Sequence, residues 1–206
     1  MNNKIIKITL AVLIAVLTAG IIAFAAVSNT ENDSDKKIIG YIMTGTADEP
    51  GWNGMNYKGI EAVCEELGAK LIIKENIIEN TGDCPKAIAE LAEEGAEMIF
   101  LSSYGYPSEV KDIIDSYPKI AFYGNSSDYY SENMTSYFGR MYQARYLAGI
   151  VAGMTTETGK IGYVGAMSNC EVNRGINAFA LGVRRVNPEA EVIVIRTNSW
   201  DDEAAE

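Results

Sequence analysis

Two segments of the chain place a tryptophan beside amide and carboxylate side chains, a combination suited to holding a ligand. The first is Thr44–Tyr57 (TGTADEPGWNGMNY) and the second is Thr197–Asp201 (TNSWD). An indole is a flat apolar plate, and stacking an aromatic heterocycle on such a plate is worth ~1–3 kcal/mol. Two plates from separate segments would grip one planar ring between them. The candidate contacts are Asp48, Trp52, Asn53, Asn198 and Trp200.

The first segment has a second interpretation, in which its side chains organise the start of a helix. Trp52 would then be a hydrophobic staple and Asn53 a helix cap. The residues alone leave both interpretations open, and the second tryptophan segment favours ligand binding. Other loops that follow predicted strands are rich in hydroxyls and amides, as a neutral polar ligand would require. The side chains from these loops that we expect at the site are Ser103, Tyr104, Asn125 and Ser168.

The sequence carries no signature of catalysis. Histidine, the commonest general base and metal ligand, is absent from all 206 residues. The nucleophile-elbow, phosphate-loop and zinc-protease motifs are absent as well. We therefore expect no catalytic residue, no cofactor site and no metal site. The net charge of −11 argues against nucleic acid as a partner, because such binding needs clustered lysine and arginine.

The amino terminus carries an export pattern. Two lysines precede twenty residues without charge, Ile8–Val27, and Ala23–Ala25 supplies a small-x-small cleavage site. Twenty apolar residues are also about the length that spans a bilayer, so residues 1–27 are predicted to be a signal peptide or an uncleaved anchor. In both cases the positive end stays inside and the remainder is exported. Residues 28–36 are polar and are predicted to be a flexible linker.

Three cysteines follow the linker, at positions 64, 84 and 170. Their spacing matches no zinc or redox motif, and an odd number cannot all pair within one chain. A disulfide between Cys64 and Cys84 is one alternative in an oxidising compartment. We favour the other, in which all three are free and partly buried thiols.

Apolar runs alternate with amphipathic stretches across residues 37–138. Ile38–Met43 is a continuous apolar run, typical of a strand covered on both faces, and Trp52–Leu67 carries a helical stripe that ends at Gly68. The repeated βαβα order predicts an α/β fold, with a parallel sheet of about five strands and right-handed crossovers forming a ligand-binding lobe. The remaining predicted elements are strands at 71–73, 98–101, 120–123 and 135–138, and helices at 83–94 and 108–116.

Residues 139–206 are predicted to begin a second α/β lobe. Its predicted elements are helices at 140–156 and 172–186, strands at 159–166 and 192–195, and a further helix start at 201–206. Gly149 and Gly153 form a GxxxG pattern, which we attribute to close helix–sheet packing because charged residues share that helix. Two strands leave a sheet with uncovered edges and faces. We therefore expect the second lobe to be incomplete and the sequence to be truncated.

Three stretches carry a resemblance to a known family. They are GYIMTGTADEPGWNGMNYKGIEA (40–62), YFGRMYQARYLAGIVAGMTTETGKIGYVGA (137–166) and VNRGINAFALGVRRVNPEAEVIVIRTNSWDD (172–202). In motif order and spacing the chain resembles the basic membrane protein family of solute-binding proteins, which are the purine-nucleoside-binding components of ABC importers. The resemblance runs from about Lys37 to the last residue.

The resemblance implies a type I periplasmic-binding-protein fold, in which two α/β lobes close on a ligand about a hinge. It implies an aromatic-plus-amide loop after the first strand, matched by Trp52 and Asn53 with Asp48 nearby. It also implies a second aromatic from the other lobe, matched by Trp200. Two features depart from the family pattern. The lipid-anchoring cysteine is absent, and family members continue for well over a hundred residues that include ribose-binding positions.

These observations predict an extracytoplasmic receptor, a monomer that captures a purine or nucleoside and delivers it to an ABC permease. Closure of the two lobes on the ligand would be the mechanism. An alternative of the same fold is an extracytoplasmic sensor domain held in the membrane by Ile8–Val27. A sugar-active or nucleoside-cleaving enzyme is a third hypothesis, and it lacks an identifiable acid–base pair. We expect the 206-residue form to bind ligand weakly, because most of one wall of the cleft is missing.

Overall fold

A computed structural model describes residues 36–200, 202 and 204. The predicted signal peptide or anchor at 1–27 lies outside the described residues, as do nearly all of the linker and most of the helix start predicted at 201–206. Among the described residues, the structure contains no helix of the length and hydrophobicity needed to span a bilayer.

Five strands form the first sheet, in the order β2-β1-β3-β4-β5. Every neighbouring pair is parallel, which confirms the predicted sheet type. The short apolar runs explain the strands, since a parallel strand covered on both faces needs apolar side chains throughout. The strands are β1 Ile38–Ile42, β2 Lys70–Lys74, β3 Ala96–Leu101, β4 Ala121–Asn125 and β5 Met134–Tyr137.

Three helices flank the first sheet: α1 Trp52–Leu67, α2 Asp83–Glu93 and α3 Tyr106–Ile114. The main apolar core lies between the sheet and the pair α2 and α3, where Ile42, Leu101 and Phe122 point from alternate strand positions. Gly40 permits this approach, because a Cβ there would lie 2.7 Å from the Leu91 side chain on α2. Helix α1 crosses the opposite face of the sheet and ends where predicted, with Gly68 in a left-handed conformation at φ 63°.

The second sheet contains two parallel strands in the described residues, β6 Lys160–Gly165 and β7 Glu191–Arg196. It is accompanied by helices α4 Met141–Thr155 and α5 Cys170–Val186. Both sides of β7 carry exposed apolar residues, among them Val194 and Ile195. The two helices and two strands of residues 141–196 match the prediction in order and type.

The prediction for the GxxxG pattern in α4 was wrong about its partner. Gly149 and Gly153 pack against helix α5, not against the sheet: a Cβ at Gly149 would lie 2.0 Å from the carbonyl oxygen of Phe179. The contact is reciprocal, because a Cβ at Gly182 of α5 would lie 2.1 Å from the carbonyl oxygen of Tyr146. Small residues let the backbones of the two helices come into contact, so α5 is the partner that the two glycines accommodate.

The cysteines are all free, as expected, but the expectation that all three are partly buried is wrong for Cys170. Cys64 and Cys84 are buried, whereas Cys170 is exposed at the first position of α5. Burial raises the pKa of the Cys64 and Cys84 thiols, and the carboxylates of Glu109 and Glu79 raise that of Cys84 further. Both thiols are therefore small apolar components of the interior.

Candidate functional site

The carboxyl ends of β1, β3 and β4 meet at one edge of the first sheet. The loops leaving this edge are 43–51, 102–105 and 126–133. Three predicted site residues lie in these loops (Asp48, Ser103 and Tyr104), and three more lie directly beside them (Trp52, Asn53 and Asn125). In open parallel sheets this edge is where ligands bind. The side chains here are consequently the ones whose geometry decides what the protein can hold.

Trp52 is the first residue of α1 and is fixed in place while remaining exposed. Its indole Nε1 donates a hydrogen bond to the carbonyl oxygen of Ser102 at 2.9 Å, and 43% of the residue is accessible to solvent. The ring centroid lies 6.4 Å from that of Phe138, with the planes tilted by 40°. The structure therefore leaves Trp52 partly exposed, with its indole held in one orientation.

The capping interpretation of Asn53 is wrong. Gly51 occupies the N-cap position of α1, and no side chain caps this helix. Asn53 instead accepts a hydrogen bond from the Thr44 hydroxyl at 3.2 Å and donates one to Glu49 at 2.8 Å. That donor and the backbone N–H of Thr46 lower the pKa of Glu49.

Close backbone contact shapes the 43–51 loop. Gly54 lies where a Cβ would meet the carbonyl oxygen of Glu49 at 2.1 Å, so only glycine lets the loop fold back on α1. The carboxylate of Asp48 is exposed and accepts a hydrogen bond from the Thr46 hydroxyl at 2.5 Å. Asp48 and Asn53 thus hold the loop together, and their contact with a ligand stays a prediction.

Asn125 lies on the floor of the site with a partner that the sequence did not indicate. Its Nδ2 donates to the Oδ1 of Asn56 at 2.9 Å, and the Nδ2 of Asn56 donates to the carbonyl oxygen of Trp52 at 2.8 Å. Asn125 is 3% exposed. Asn56 follows Trp52 by one helical turn, so the two residues share a face of α1. This spacing is the sequence feature from which Asn56 could have been predicted.

Ser103 and Tyr104 follow β3. Ser103 is buried, whereas Tyr104 is half-buried and donates from its hydroxyl to Asp128 at 2.8 Å. Burial and the Asp128 carboxylate raise the pKa of Tyr104 to about 12. Tyr104 is therefore a neutral donor across the physiological range, and it joins the loops that leave β3 and β4.

The remaining predicted residues lie at the carboxyl ends of the second sheet. Ser168 is exposed in the turn after β6, and Asn198 is exposed after β7 with φ 58°. The backbone N–H of Asn198 donates to the carbonyl oxygen of Ala166 at 2.9 Å, which joins the two turns. Trp200 follows in the same turn and is 43% exposed.

The loop after β4 contacts the start of α5, which links the elements around the first sheet to those around the second. The thiol of Cys170 donates to the Asp128 carboxylate at 3.9 Å. Burial raises the pKa of the neighbouring Glu171, an effect partly offset by the Ser126 hydroxyl and by Arg174. The sequence did not single out Asp128 or Glu171, because neither stands in a motif and only folding brings them together.

An apolar cavity of about 740 Å³ lies elsewhere, between α1 and the amino-terminal ends of β1 and β3. Ile38, Ile60, Val63 and Phe100 are among its lining residues, and none of the predicted site residues reaches it. Within the described part of the chain, no group of three or more acidic or cysteine side chains is placed to hold a metal ion. The site at the strand ends is built from an indole, amides and hydroxyls, together with the carboxylates of Asp48, Glu49 and Asp128.

Comparison with known proteins places this geometry in a family. Residues 36–206 match the Bmp family model, described as ABC transporter substrate-binding protein PnrA-like. A purine-binding protein of Brucella abortus is 32% identical over 84% of this chain and 49% of its own length. A Haloferax volcanii protein named as an ABC transporter glucose-binding protein is 41% identical over 58% of this chain and 31% of its own length.

Solved structures give the same fold. A solute-binding protein of an ABC transporter system from Aeropyrum pernix superposes with a TM-score of 0.66 at 19% identity, covering 81% of this chain and 49% of that one. The present chain spans about half or less of the length of the curated relatives described above. The resemblance and the periplasmic-binding-protein type of fold are confirmed, and the chain belongs to the Bmp family of ABC transporter substrate-binding proteins.

Proposed function

We propose that this chain contributes to an extracytoplasmic receptor that binds a purine or purine nucleoside for an ABC importer. Residues 37–138 would form the first ligand-binding lobe and residues 139–206 part of the second. The observation that carries the proposal is Trp52, whose indole is tied by its N–H to the Ser102 carbonyl and yet remains 43% exposed.

A fixed, open indole is suited to a planar ligand. Since the hydrogen bond already sets the orientation of the ring, little rotamer freedom is lost when a ligand stacks on it. Phe138 stands beside the indole, and the amides of Asn53, Asn56 and Asn125 lie around it. A purine presents two flat faces and a rim of hydrogen-bonding atoms, which matches an aromatic plate surrounded by amides.

The relatives support the purine class without deciding it. The Brucella abortus protein is named for purine binding, whereas the Haloferax volcanii protein is named for glucose binding. The indole of Trp52, with Phe138 beside it, provides a plate on which a purine stacks, and Trp200 in the turn after β7 would supply the opposing plate.

The receptor would act by closure and transfer. The loop after β4 and helix α5 are already in contact through Asp128 and Cys170, so contacts made by a ligand with the residues around both sheets would favour a closed arrangement. The proposed partner is an ABC permease in the membrane, and the receptor, acting as a monomer, would carry out no covalent chemistry. No nucleic acid, cofactor or metal is needed for this role.

Ligand titration of the purified chain tests the proposal. Adenosine, guanosine and glucose would each be titrated by calorimetry, with ligand-observed NMR for affinities near the millimolar range. We expect both nucleosides to bind more tightly than glucose. Trp52→Ala should weaken nucleoside binding by about 5- to 150-fold, because the lost stacking is worth ~1–3 kcal/mol.

Met55→Ala is the matched control for this titration. Met55 lies on the same helix as Trp52 and is 66% exposed. The Met55→Ala variant therefore also replaces one large apolar side chain with alanine on this helix. The affinity of the Met55→Ala variant for nucleosides should equal that of the wild type. Tighter binding of glucose than of adenosine, or an unchanged affinity in Trp52→Ala, would refute the purine assignment.

A further inference from the structure

Buried polar atoms without a protein partner gather beneath Trp52. Within the described residues, five buried side-chain oxygens make no hydrogen bond to the protein. Four of them belong to Tyr41, Ser102, Asn125 and Tyr137, and the fifth is the hydroxyl of the adjacent Ser126. Because buried polar atoms in folded proteins are nearly always hydrogen-bonded, this concentration at one place requires a physical explanation.

The strand register brings the four residues to the same face of the first sheet. Tyr41 pairs with Phe100, two positions before Ser102, and Asn125 pairs with Tyr137. Their side chains therefore point towards α1, opposite the core formed with α2 and α3. Tyr41 and Ser102 are fully buried, and Asn125 is 3% exposed.

The register also makes the four residues neighbours: Leu101 pairs with Gly124, so Ser102 lies beside Asn125, which pairs with Tyr137. Burial raises the pKa of Tyr41 to about 12, an effect partly offset by the Ser102 hydroxyl. Burial likewise raises the pKa of Tyr137, with a further contribution from Tyr41 and a partial offset from Asn125. The Ser102–Tyr41 and Asn125–Tyr137 pairs are thus close, yet neither has the geometry of a hydrogen bond.

We propose that Tyr41, Ser102, Asn125 and Tyr137 form an internal polar site for one uncharged molecule the size of water, and that the two tyrosines thereby position Trp52 and Asn56. Three hydroxyls can donate or accept, whereas the amide oxygen of Asn125 can only accept. A water molecule makes two to four such bonds. An ion does not fit, since no charged side chain is among the four residues and burying an unpaired charge is costly.

The link to the candidate site passes through two residues. Ser102 supplies the carbonyl oxygen that holds the Trp52 indole at 2.9 Å, and Asn125 supplies the amide that holds Asn56 at 2.9 Å. A bound molecule that bridges the tyrosine hydroxyls to Ser102 and Asn125 fixes the two groups that hold Trp52 and Asn56. Tyr41 and Tyr137 are therefore positioning residues, which touch no ligand and act through the groups above them.

Tyrosine-to-phenylalanine variants test the proposal without any ligand, so its outcome is independent of the proposed purine binding. Tyr41→Phe and Tyr137→Phe would be made in a Trp200→Phe background, which leaves Trp52 as the one indole in the chain. Each should lower Tm by about 1–6 °C. The double variant should lose less than the sum, since both hydroxyls serve one bridge. The emission of Trp52 should shift in each variant.

Tyr106→Phe is the matched control. Tyr106 is fully buried, but its hydroxyl donates directly to the carbonyl oxygen of Ile77. This variant should lower Tm and leave the emission of Trp52 unchanged. If Tyr41→Phe and Tyr137→Phe leave Tm unchanged or raise it, the hydroxyls have no partner and the internal site is refuted. A lower Tm with unchanged Trp52 emission would refute the positioning role.

Discussion

Replacing Gly149 with alanine should destabilise the protein, although alanine favours helices. Gly149 lies in the middle of α4, where a Cβ would sit 2.0 Å from the carbonyl oxygen of Phe179 on α5. An ordinary van der Waals contact between a Cβ and another heavy atom begins at 3.4 Å. The two helices would have to separate by more than an ångström, or the Phe179 peptide would have to turn away from its place in α5.

The magnitude follows from two opposing effects. Alanine in place of glycine stabilises a helix interior by about 1 kcal/mol. Overpacking of a tight contact costs roughly 1–3 kcal/mol and sometimes more, and the high end applies here because the obstacle is backbone. With about 3 kcal/mol for the overpacking and about 1 kcal/mol for the helix gain, the expected net loss is about 2 kcal/mol, which corresponds to a fall in Tm of about 4–8 °C for a chain of this size.

Gly59→Ala is the control for helix propensity. Gly59 lies in α1, and a Cβ there would meet nothing within 4 Å, so this variant should gain about 0.5–1 kcal/mol. Thermal and urea unfolding followed by circular dichroism would measure both. Gly182→Ala should behave like Gly149→Ala, and the double variant should be less unstable than the sum, since one separation relieves both contacts. A Gly149→Ala protein as stable as Gly59→Ala would refute the packing argument.

Three further predictions concern charge, thiols and the amino terminus. Burial raises the pKa of Glu171. Between the ordinary pKa and the raised one, the folded chain therefore holds a proton that the unfolded chain has released. The free energy of unfolding consequently falls as the pH rises through this range. Melting curves between about pH 4 and about pH 8 should show Glu171→Gln gaining on the wild type across that window; a constant difference would contradict this. One thiol, that of Cys170, should react quickly with a thiol reagent, and Cys170→Ser should abolish the fast phase; a second fast equivalent would contradict the burial of the other two. Mass spectrometry of the exported protein should find a start near Ala26 for a released receptor, whereas an intact Met1 would support the anchored sensor.

The order and type of the elements were predictable because local patterns determine them. Helix α1 matched its predicted bounds, since an apolar stripe preceded Gly68, a residue suited to the left-handed cap. Strands β2, β3 and β7 extend one or two residues beyond their predicted apolar runs, as at Lys70 and Lys74 of β2, because the backbone ladder does not require apolar side chains. Strands β1 and β6 are shorter than predicted by one residue and two residues. Helix α5 begins at Cys170, two residues early, because Asn169 caps it by accepting from the N–H of Val172.

The partners of the site residues were much less predictable. The sequence identified Trp52 and Asn125 by type and by position after a strand. It did not indicate that Asn56 would join them, because that contact depends on how α1 crosses the sheet. The GxxxG pattern likewise showed that one face of α4 is small, but not that α5 would pack there. Contacts between elements depend on tertiary geometry, which no local pattern contains.

The exposed apolar residues of β7 have a consequence for handling the protein. In the described structure β7 has a hydrogen-bonded neighbour only in β6, so its other edge presents backbone donors and acceptors flanked by Val194 and Ile195. Such an edge captures any compatible extended segment. At high concentration that segment is another copy, which leads to aggregation. An added peptide with a compatible strand would compete with other copies of the chain for this edge.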